Sequence, residues 1–112
     1  MQKYWYKIVD TDDKGNIKTL FHGIAGSRII PQGQWIQAIM KPVKDGTSKT
    51  TYTSGWHIMK SVEECVDYLT KFKHVQNKAI IKVKIKGKVW SKEHSPADVY
   101  LSEWLWFEEI VG

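Results

Sequence analysis

A row of lysines is the clearest candidate for chemistry with an anion in this sequence. In the stretch AIIKVKIKGKVW, residues 79–90, every second position from 82 to 88 is a lysine. Alternate residues of a β-strand lie on one face about 6.7 Å apart, which is comparable with the separation of successive phosphates in a nucleic-acid strand. Trp90 is predicted on the same face, where its ring can stack on a base. The candidate site for a nucleotide or nucleic acid is therefore Lys82, Lys84, Lys86, Lys88 and Trp90.

The same alternation is also typical of the wet face of an antiparallel sheet. Lysines keep an open face or an edge strand soluble, and runs of like charge most often have this origin. Glu103, Glu108 and Glu109 follow in the last predicted strand and can pair with some of the lysines across the sheet. Both interpretations stay open.

A second candidate for anion binding is the loop HGIAGSR, residues 22–28. Gly26 and Ser27 allow backbone N–H groups to converge on an anion, and Arg28 can form a fork of hydrogen bonds to it. Trp56 and His57, in the stretch SGWH, are predicted to belong to the same site, with Trp56 stacking on a base. The alternative is an ordinary loop whose glycines only supply positive φ.

The last segment, VYLSEWLWFEEIV at 99–111, is apolar on both faces of a predicted strand. A single helix cannot cover both faces of a sheet, so either a loop covers the second face or an aromatic patch is left for a partner. The patch is predicted as an interface for a partner protein or for a second copy of the chain, because aromatic residues dominate such interfaces. Its residues are Tyr100, Trp104 and Trp106.

No metal or cofactor site is predicted. No two of the four histidines are spaced like zinc ligands, and none has that spacing with Cys65. Cys65 falls on the apolar side of the predicted helix, where a thiol is typically an inert packing group. The sequence therefore contains no convergent set of acids, bases and nucleophiles, and we predict no catalytic residues.

The elements that position these residues are mostly strands. Turn chemistry at 12–16 predicts a hairpin over the first 21 residues; a third strand is predicted at 35–41 and a polar loop at 42–50. Ser61 and Glu64 have the spacing of a capping box, which predicts one amphipathic helix over about 62–72. The strands at 79–90 and 99–111 are expected to pair antiparallel. The predicted class is α+β, a mainly antiparallel sheet of five or six strands with the helix packed on one face, which we expect to be the odd-numbered side of 79–89.

Size and composition restrict the setting. The 112 residues predict a single domain, 1–112, and a formal charge of +5 favours an anionic partner. Only one of the 17 basic residues is an arginine, fewer than nucleic-acid readers usually carry. One cysteine and the lack of a long apolar run predict a cytoplasmic protein that does not enter a membrane.

Four motifs together resemble an uncharacterised group of small phage and prophage proteins. They are GSRIIPQGQW, VKDG, YTSGWHIMKSVEECVDYL and KEHSPADVYLSEWLWFEEI. The resemblance implies a phage accessory protein in the cytoplasm of the host cell. It also implies a class of action, the inhibition or sequestering of a host-defence component such as a nuclease or a nucleotide second messenger.

A weaker resemblance is to the ADP-ribosyltransferase core, in which a His-Gly pair begins the NAD site and a glutamate follows near the end. His22 and Gly23, then SGWH before the helix, then Glu103 occur in that order. The middle motif is poorly matched, with Tyr52 or Ser54 as its candidates. The leading expectation is a non-catalytic binding protein of phage type. An NAD-dependent transferase and a basic nucleic-acid-binding protein are the alternatives.

Overall fold

The computed structural model of the chain describes residues 3–19, 28–39, 42–44, 51–70, 77–91 and 99–112. Six strands form one antiparallel sheet: β1 (Trp5–Thr11), β2 (Ile17–Lys18), β3 (Trp35–Gln37), β6 (Trp56–Ile58), β7 (Lys78–Ser91) and β8 (Tyr100–Ile110). A separate pair consists of β4 (Pro42–Lys44) and β5 (Thr51–Thr53). One short helix, α1 (Val62–Leu69), precedes β7. The prediction of a mainly antiparallel α+β protein is confirmed at this level.

The long strands β7 and β8 form the centre of the sheet. The order is β2-β1-β7-β8-β3, and β6 pairs with the first residues of β8. The chain just after β6 also reaches β1, because Met59 exchanges two backbone hydrogen bonds with Tyr6 of β1, at 2.9 and 2.7 Å. The sheet is therefore curled, with β6 linking β8 to β1.

The predicted hairpin at the start of the chain is confirmed. Asp12 organises its turn: the carboxylate accepts hydrogen bonds from the N–H groups of Lys14 and Asn16, both at 2.9 Å, and from the Asn16 side-chain amide at 3.0 Å. These bonds, those from Asn16 above all, hold the pKa of Asp12 well below its usual range. Gly15 adopts the positive φ of 81° that the turn requires.

The core lies on the odd-numbered side of β7. Ile81 and Val83 are fully buried there, and Leu105 of β8 lies with them. We call this set the inner cluster: Val9, Ile17, Ile30, Trp56, Ile58, Ala79, Ile81, Val83, Leu105 and Phe107. Full burial of an aliphatic side chain of this size contributes about 1.5–3 kcal/mol, so these positions set the register of the sheet.

The helix begins where the capping box predicts. Ser61 is the N-cap, and its hydroxyl accepts a hydrogen bond from the Glu64 N–H at 3.2 Å. Cys65 is fully buried, but it does not belong to the inner cluster. It lies in a second cluster with Ile8, Met59, Ile80 and Val99. Ile80 is an even-numbered position, whereas the helix was expected to meet the odd-numbered side of 79–89, so that expectation stays a prediction for the helix as a whole.

Two boundaries differ from the predictions. The third strand ends at Gln37 and not at 41, and the predicted loop at 42–50 begins with strand β4. The predicted helix extended to 72, whereas α1 ends at Leu69 and 71–76 lie outside the described residues. The helix is too short to cross a membrane, and no other helix in the described part of the chain is long and apolar enough to do so.

Candidate binding face

Three of the four lysines of the row lie on the outer face of β7 beside aromatic residues. Lys84 pairs directly opposite Trp106 of β8, and Lys86 opposite Trp104. Directly opposed residues in an antiparallel pair lie on the same face. Trp35 of β3 pairs opposite Trp106 and extends the surface by one strand. We call the whole surface the lysine–tryptophan face: Lys82, Lys84, Lys86, Trp35, Trp104 and Trp106.

Ammonium groups lie over the rings of this face. The Nζ atom of Lys86 is 4.4 Å from the centroid of the Trp35 ring and 4.8 Å from that of Trp104. Lys84 lies 5.7 Å from the Trp106 ring, and Lys82 lies 4.6 Å from the ring of Tyr4. All are within the roughly 6 Å range of cation–π attraction. The lysine row and the tryptophans therefore form one surface. The sequence alone predicts them as two alternative binding surfaces.

The two tryptophans of neighbouring strands also contact each other. The ring centroids of Trp35 and Trp106 are 5.6 Å apart with a tilt of 57°. Trp35 is 36% exposed, so part of this pair is open to solvent. Tilted pairs at this distance are stabilising, and the pair gives the face a rigid centre.

The glutamates of β8 neutralise one end of the face, as the cross-strand pattern predicted. Lys82 forms an ion pair with Glu109 at 2.7 Å, and Lys84 lies 3.9 Å from Glu108. The hydrogen bond from Lys82 to Glu109 raises the pKa of Lys82. Within the residues that the structure describes, Lys86 has no carboxylate at ion-pair distance. Lys86 is therefore the lysine of this face that forms no ion pair with a described carboxylate, although the Glu103 carboxylate lies at the neighbouring Gly87.

A β-bulge ends the lysine row. The register shifts between Lys86 and Val89, so that Gly87 and Lys88 together lie opposite Glu103. Gly87 has a φ of 77°, and a Cβ atom there would lie 2.5 Å from Glu103 Oε1. The same oxygen accepts a hydrogen bond from the Lys88 N–H at 3.2 Å. Glu103 therefore holds the bulge, and the positive φ at position 87 favours glycine.

The bulge separates Trp90 from the lysines with which it was grouped. Trp90 pairs opposite the buried Leu101. Its six-membered ring lies against Gly55, where a Cβ atom would be 3.0 Å from Trp90 Cη2. The simple alternation that placed Trp90 beside Lys86 and Lys88 does not continue through the bulge.

The second candidate anion site has a different arrangement from the one expected. Trp56 is 4% exposed, and its indole N–H donates to the Ile36 carbonyl at 2.9 Å. The Arg28 guanidinium lies 4.9 Å from the Trp56 ring and donates to the Gln37 carbonyl at 3.3 Å. Arg28 and Trp56 thus contact each other within the fold. Gly26 and Ser27 lie outside the described residues, as do His22 and Gly23 of the transferase resemblance.

His57 leads to a residue that the sequence analysis missed. Its backbone carbonyl accepts a hydrogen bond from Lys7 Nζ at 3.0 Å, and Lys7 is only 5% exposed. The ammonium is 5.8 Å from the Trp56 ring. Burial lowers the pKa of Lys7 to about 8, against a smaller opposing effect of Cys65. A sequence signal existed, because Lys7 alternates with Trp5 and Val9, which both contribute to the inner side of β1.

The predicted aromatic interface is divided. Trp104 and Trp106 lie on the lysine–tryptophan face, but Tyr100 packs against the inner cluster, with its ring 5.3 Å from that of Trp5 in an edge-to-face contact. Burial, reinforced by Glu64, raises the pKa of the Cys65 thiol to about 12, as expected of a packing group. No cluster of three metal-ligating side chains occurs among the residues described.

Comparison with known proteins found no relative of this chain. No family model, no curated protein and no solved structure matches the chain. The resemblances to the phage group and to the transferase core therefore stay predictions, and the function has to be argued from the lysine–tryptophan face.

Proposed function

We propose that this protein is a non-catalytic binding protein that holds an anionic partner on its lysine–tryptophan face. The observation that carries the proposal is the position of Lys86. Its ammonium lies 4.4 Å from the centroid of the Trp35 ring and 4.8 Å from that of Trp104, and it forms no ion pair with a carboxylate of the described residues. A charge on a rigid aromatic surface offers a partner both electrostatic attraction and apolar contact.

The helix supports this proposal by its position. We infer that α1 packs on the same outer side of the sheet, at the end marked by Ile80, because Cys65 is buried beside Ile80 and Ile8. Residues 80, 82, 84 and 86 share one side of β7 by alternation. The helix then covers the Ile80 end, and the end at Lys86 is left for a partner.

The wider setting of this proposal comes from the phage resemblance. In that setting the protein acts in the cytoplasm of a bacterial host and occupies a component of host defence, either a protein with an acidic surface or a nucleotide or nucleic acid. Occupation, and not turnover, is the proposed mode of action. Self-association through the same face would give the protein a molecular mass in solution above that of the monomer.

The transferase alternative is less well supported by the site. It requires Glu103 to act on a bound NAD molecule. In the structure Glu103 accepts the Lys88 N–H at 3.2 Å and the Gln37 side-chain amide at 3.4 Å. The first contact holds the bulge of β7 and the second joins β8 to β3, so the geometry favours a structural role for this carboxylate.

The proposal is tested by titrating isotope-labelled protein with three anions: a twelve-residue oligothymidine, a heparin fragment and ATP. Binding at the face shifts the indole N–H resonances of Trp35, Trp104 and Trp106. The double variant Lys84→Glu/Lys86→Glu should lose these shifts. A control, Lys14→Glu/Lys60→Glu, makes the same change in net charge at two exposed lysines elsewhere and should keep them.

Two results would contradict the proposal. One is that none of the three anions shifts the three indole signals in the wild-type protein. The other is that the face variant and the control variant respond alike, because binding would then depend on net charge and not on this face.

A further inference from the structure

The structure assigns a more specific ligand to the lysine–tryptophan face: a short segment of single-stranded nucleic acid, with unpaired bases on the indole rings and phosphates at the lysines. This inference rests on the proposed function and narrows its partner. Three features of the face support this ligand: its rings, the spacing of its charges and the distribution of the glutamates.

The rings are placed for bases. Trp35, Trp104 and Trp106 come from two neighbouring strands, and the 5.6 Å separation of Trp35 and Trp106 fixes two of them relative to each other. Sheet faces that bind single strands combine such rings with a positive groove, and each base stacked on an aromatic side chain strengthens binding without demanding a particular sequence. A heparin chain offers no flat rings to these indoles.

The charges are placed for phosphates. Lys82, Lys84 and Lys86 project from one strand at intervals of about 6.7 Å, and the ammonium groups of Lys84 and Lys86 lie 5.7 and 4.4 Å from the rings of Trp106 and Trp35. In a single-stranded nucleic acid, the distance from a phosphate to its base is comparable with these distances from the ammonium groups to the rings. In the free protein the lysine heads lie over the rings, and a phosphate can draw them aside and open the rings for stacking.

The glutamates limit the length of the segment. Glu109 and Glu108 lie beside Lys82 and Lys84, where their charge repels a phosphate. Lys86 forms no ion pair among the described residues, so a phosphate there displaces no carboxylate partner. We infer contacts with one to three phosphates and a footprint of two or three nucleotides. For a single strand, the logarithm of the affinity should then fall with the logarithm of salt concentration with a slope between about −0.7 and −2.

Duplex DNA is the decisive comparison. A duplex has the higher density of charge, so a face that binds by charge alone prefers it to a single strand. Stacking requires unpaired bases and reverses this preference. The experiment measures the anisotropy of fluorescein-labelled oligothymidine of twelve residues, of a twelve-base-pair duplex, and of labelled heparin, with wild-type protein and with Trp35→Ala. Trp35 is the most exposed of the three indoles, so its removal is the least hazardous to folding.

We expect the oligothymidine to bind about ten-fold more tightly than the duplex, since one stacked base is worth about 1–3 kcal/mol and 1.4 kcal/mol is ten-fold. Trp35→Ala should weaken oligothymidine binding about ten-fold while changing heparin binding less than two-fold. If the variant proves unfolded by circular dichroism, quenching of tryptophan fluorescence in the wild-type protein replaces it. Stacking predicts quenching by oligothymidine that heparin at equal saturation does not produce.

Each alternative outcome is distinct. Duplex and heparin binding as tight as oligothymidine binding, with no selective quenching, overturns the single-strand assignment but leaves an anion-binding face. Absence of binding to every probe overturns both the assignment and the proposed function. Retention of an acidic host protein by a variant that no longer binds oligothymidine would show that the partner is a protein.

Discussion

Lys7 and Lys86 occupy opposite sides of the same sheet, and their surroundings differ in nearly every respect. Lys7 faces the inner cluster, is 5% exposed, and gives its hydrogen bond to a backbone carbonyl. Lys86 lies on the open side over two indole rings. Both are in regular strands, so the residue type alone says nothing about which role each plays. The difference shows that the side of the sheet, and not the residue type, decides whether a lysine is buried at a cost to stability or lies on the open face.

The bulge at Gly87 ends the row of lysines on the outer side of the sheet. Replacing Gly87 by alanine should lower the free energy of unfolding by about 3 kcal/mol, because the residue keeps a φ of 77° and its Cβ would meet Glu103. Urea denaturation measures the change. Gly33→Ala is the matched control, since Gly33 has a φ of 74° but open space around it, and it should cost only about 1 kcal/mol. Equal effects at the two glycines would mean that Glu103 does not hold the bulge.

The pH dependence of stability sharpens the contrast from the side of Lys7. The folded pKa of about 8 lies below the ordinary value of 10.5, so the unfolded chain binds the proton more tightly between these two values. Stability therefore rises with pH across this window, by about 3 kcal/mol at about 1.4 kcal/mol per unit of pKa. Below pH 8 the cost of the buried charge is fully present.

This rise is measured by urea denaturation from pH 7 to pH 10.5 in a Cys65→Ala background. The background is needed because the raised pKa of Cys65 acts in the opposite sense and lowers stability above pH 9. The raised pKa of Lys82 means that its contribution is lost only above 10.5, outside the window. A flat curve that matches the same background carrying Lys7→Met would show that Lys7 is not buried in its charged form.

Lys7→Met should stabilise the protein at pH 7 by about 2 kcal/mol. The change removes the buried charge, while the loss of the hydrogen bond to the His57 carbonyl returns about 1 kcal/mol of the gain. Thermal denaturation followed by circular dichroism is the measurement. A clear loss of stability would indicate instead that the bond from Lys7 to β6 is a necessary link in the curled sheet.

Lys86→Gln should change stability least, by about 0.5 kcal/mol, because its contacts with Trp35 and Trp104 lie on the open face. The same variant should nevertheless weaken binding of oligothymidine severalfold. Denaturation and anisotropy on one protein sample give both numbers. A loss of stability above 2 kcal/mol would place Lys86 among the structural residues and remove the contrast with Lys7.

The sequence was sufficient where the signals were local. Turn residues predicted the β1–β2 hairpin, and the capping box predicted the start of α1 at Ser61. Alternation predicted that glutamates of the last strand pair with some of the lysines, and the pairs are Lys82 with Glu109 and Lys84 with Glu108. Each of these depends on residues that are close in sequence or on a simple pairing of two long strands.

The remaining features depend on contacts that alternation does not encode. The hydrogen bond from Lys7 to the His57 carbonyl follows from the position of β6 across the curled sheet, which no local pattern reveals. The separation of Trp90 from the lysine row follows from one extra residue at Gly87. The contact between Arg28 and Trp56 joins a loop to a strand nearly thirty residues later. These long-range contacts decided which candidate residues share a surface.

The pairing of β1 with β7 has a consequence for the assembly of the protein. Trp5 lies opposite Val83, and Asp10 lies opposite Lys78. The residues of β1 are therefore synthesised well before those of their partner strand β7, which follows nearly seventy or more residues later in the chain. Non-local pairing of this kind slows folding compared with helical domains of similar size. Until β7 emerges, the apolar positions of β1 are exposed to other chains, and this interval is when the protein is most exposed to aggregation and to capture by chaperones.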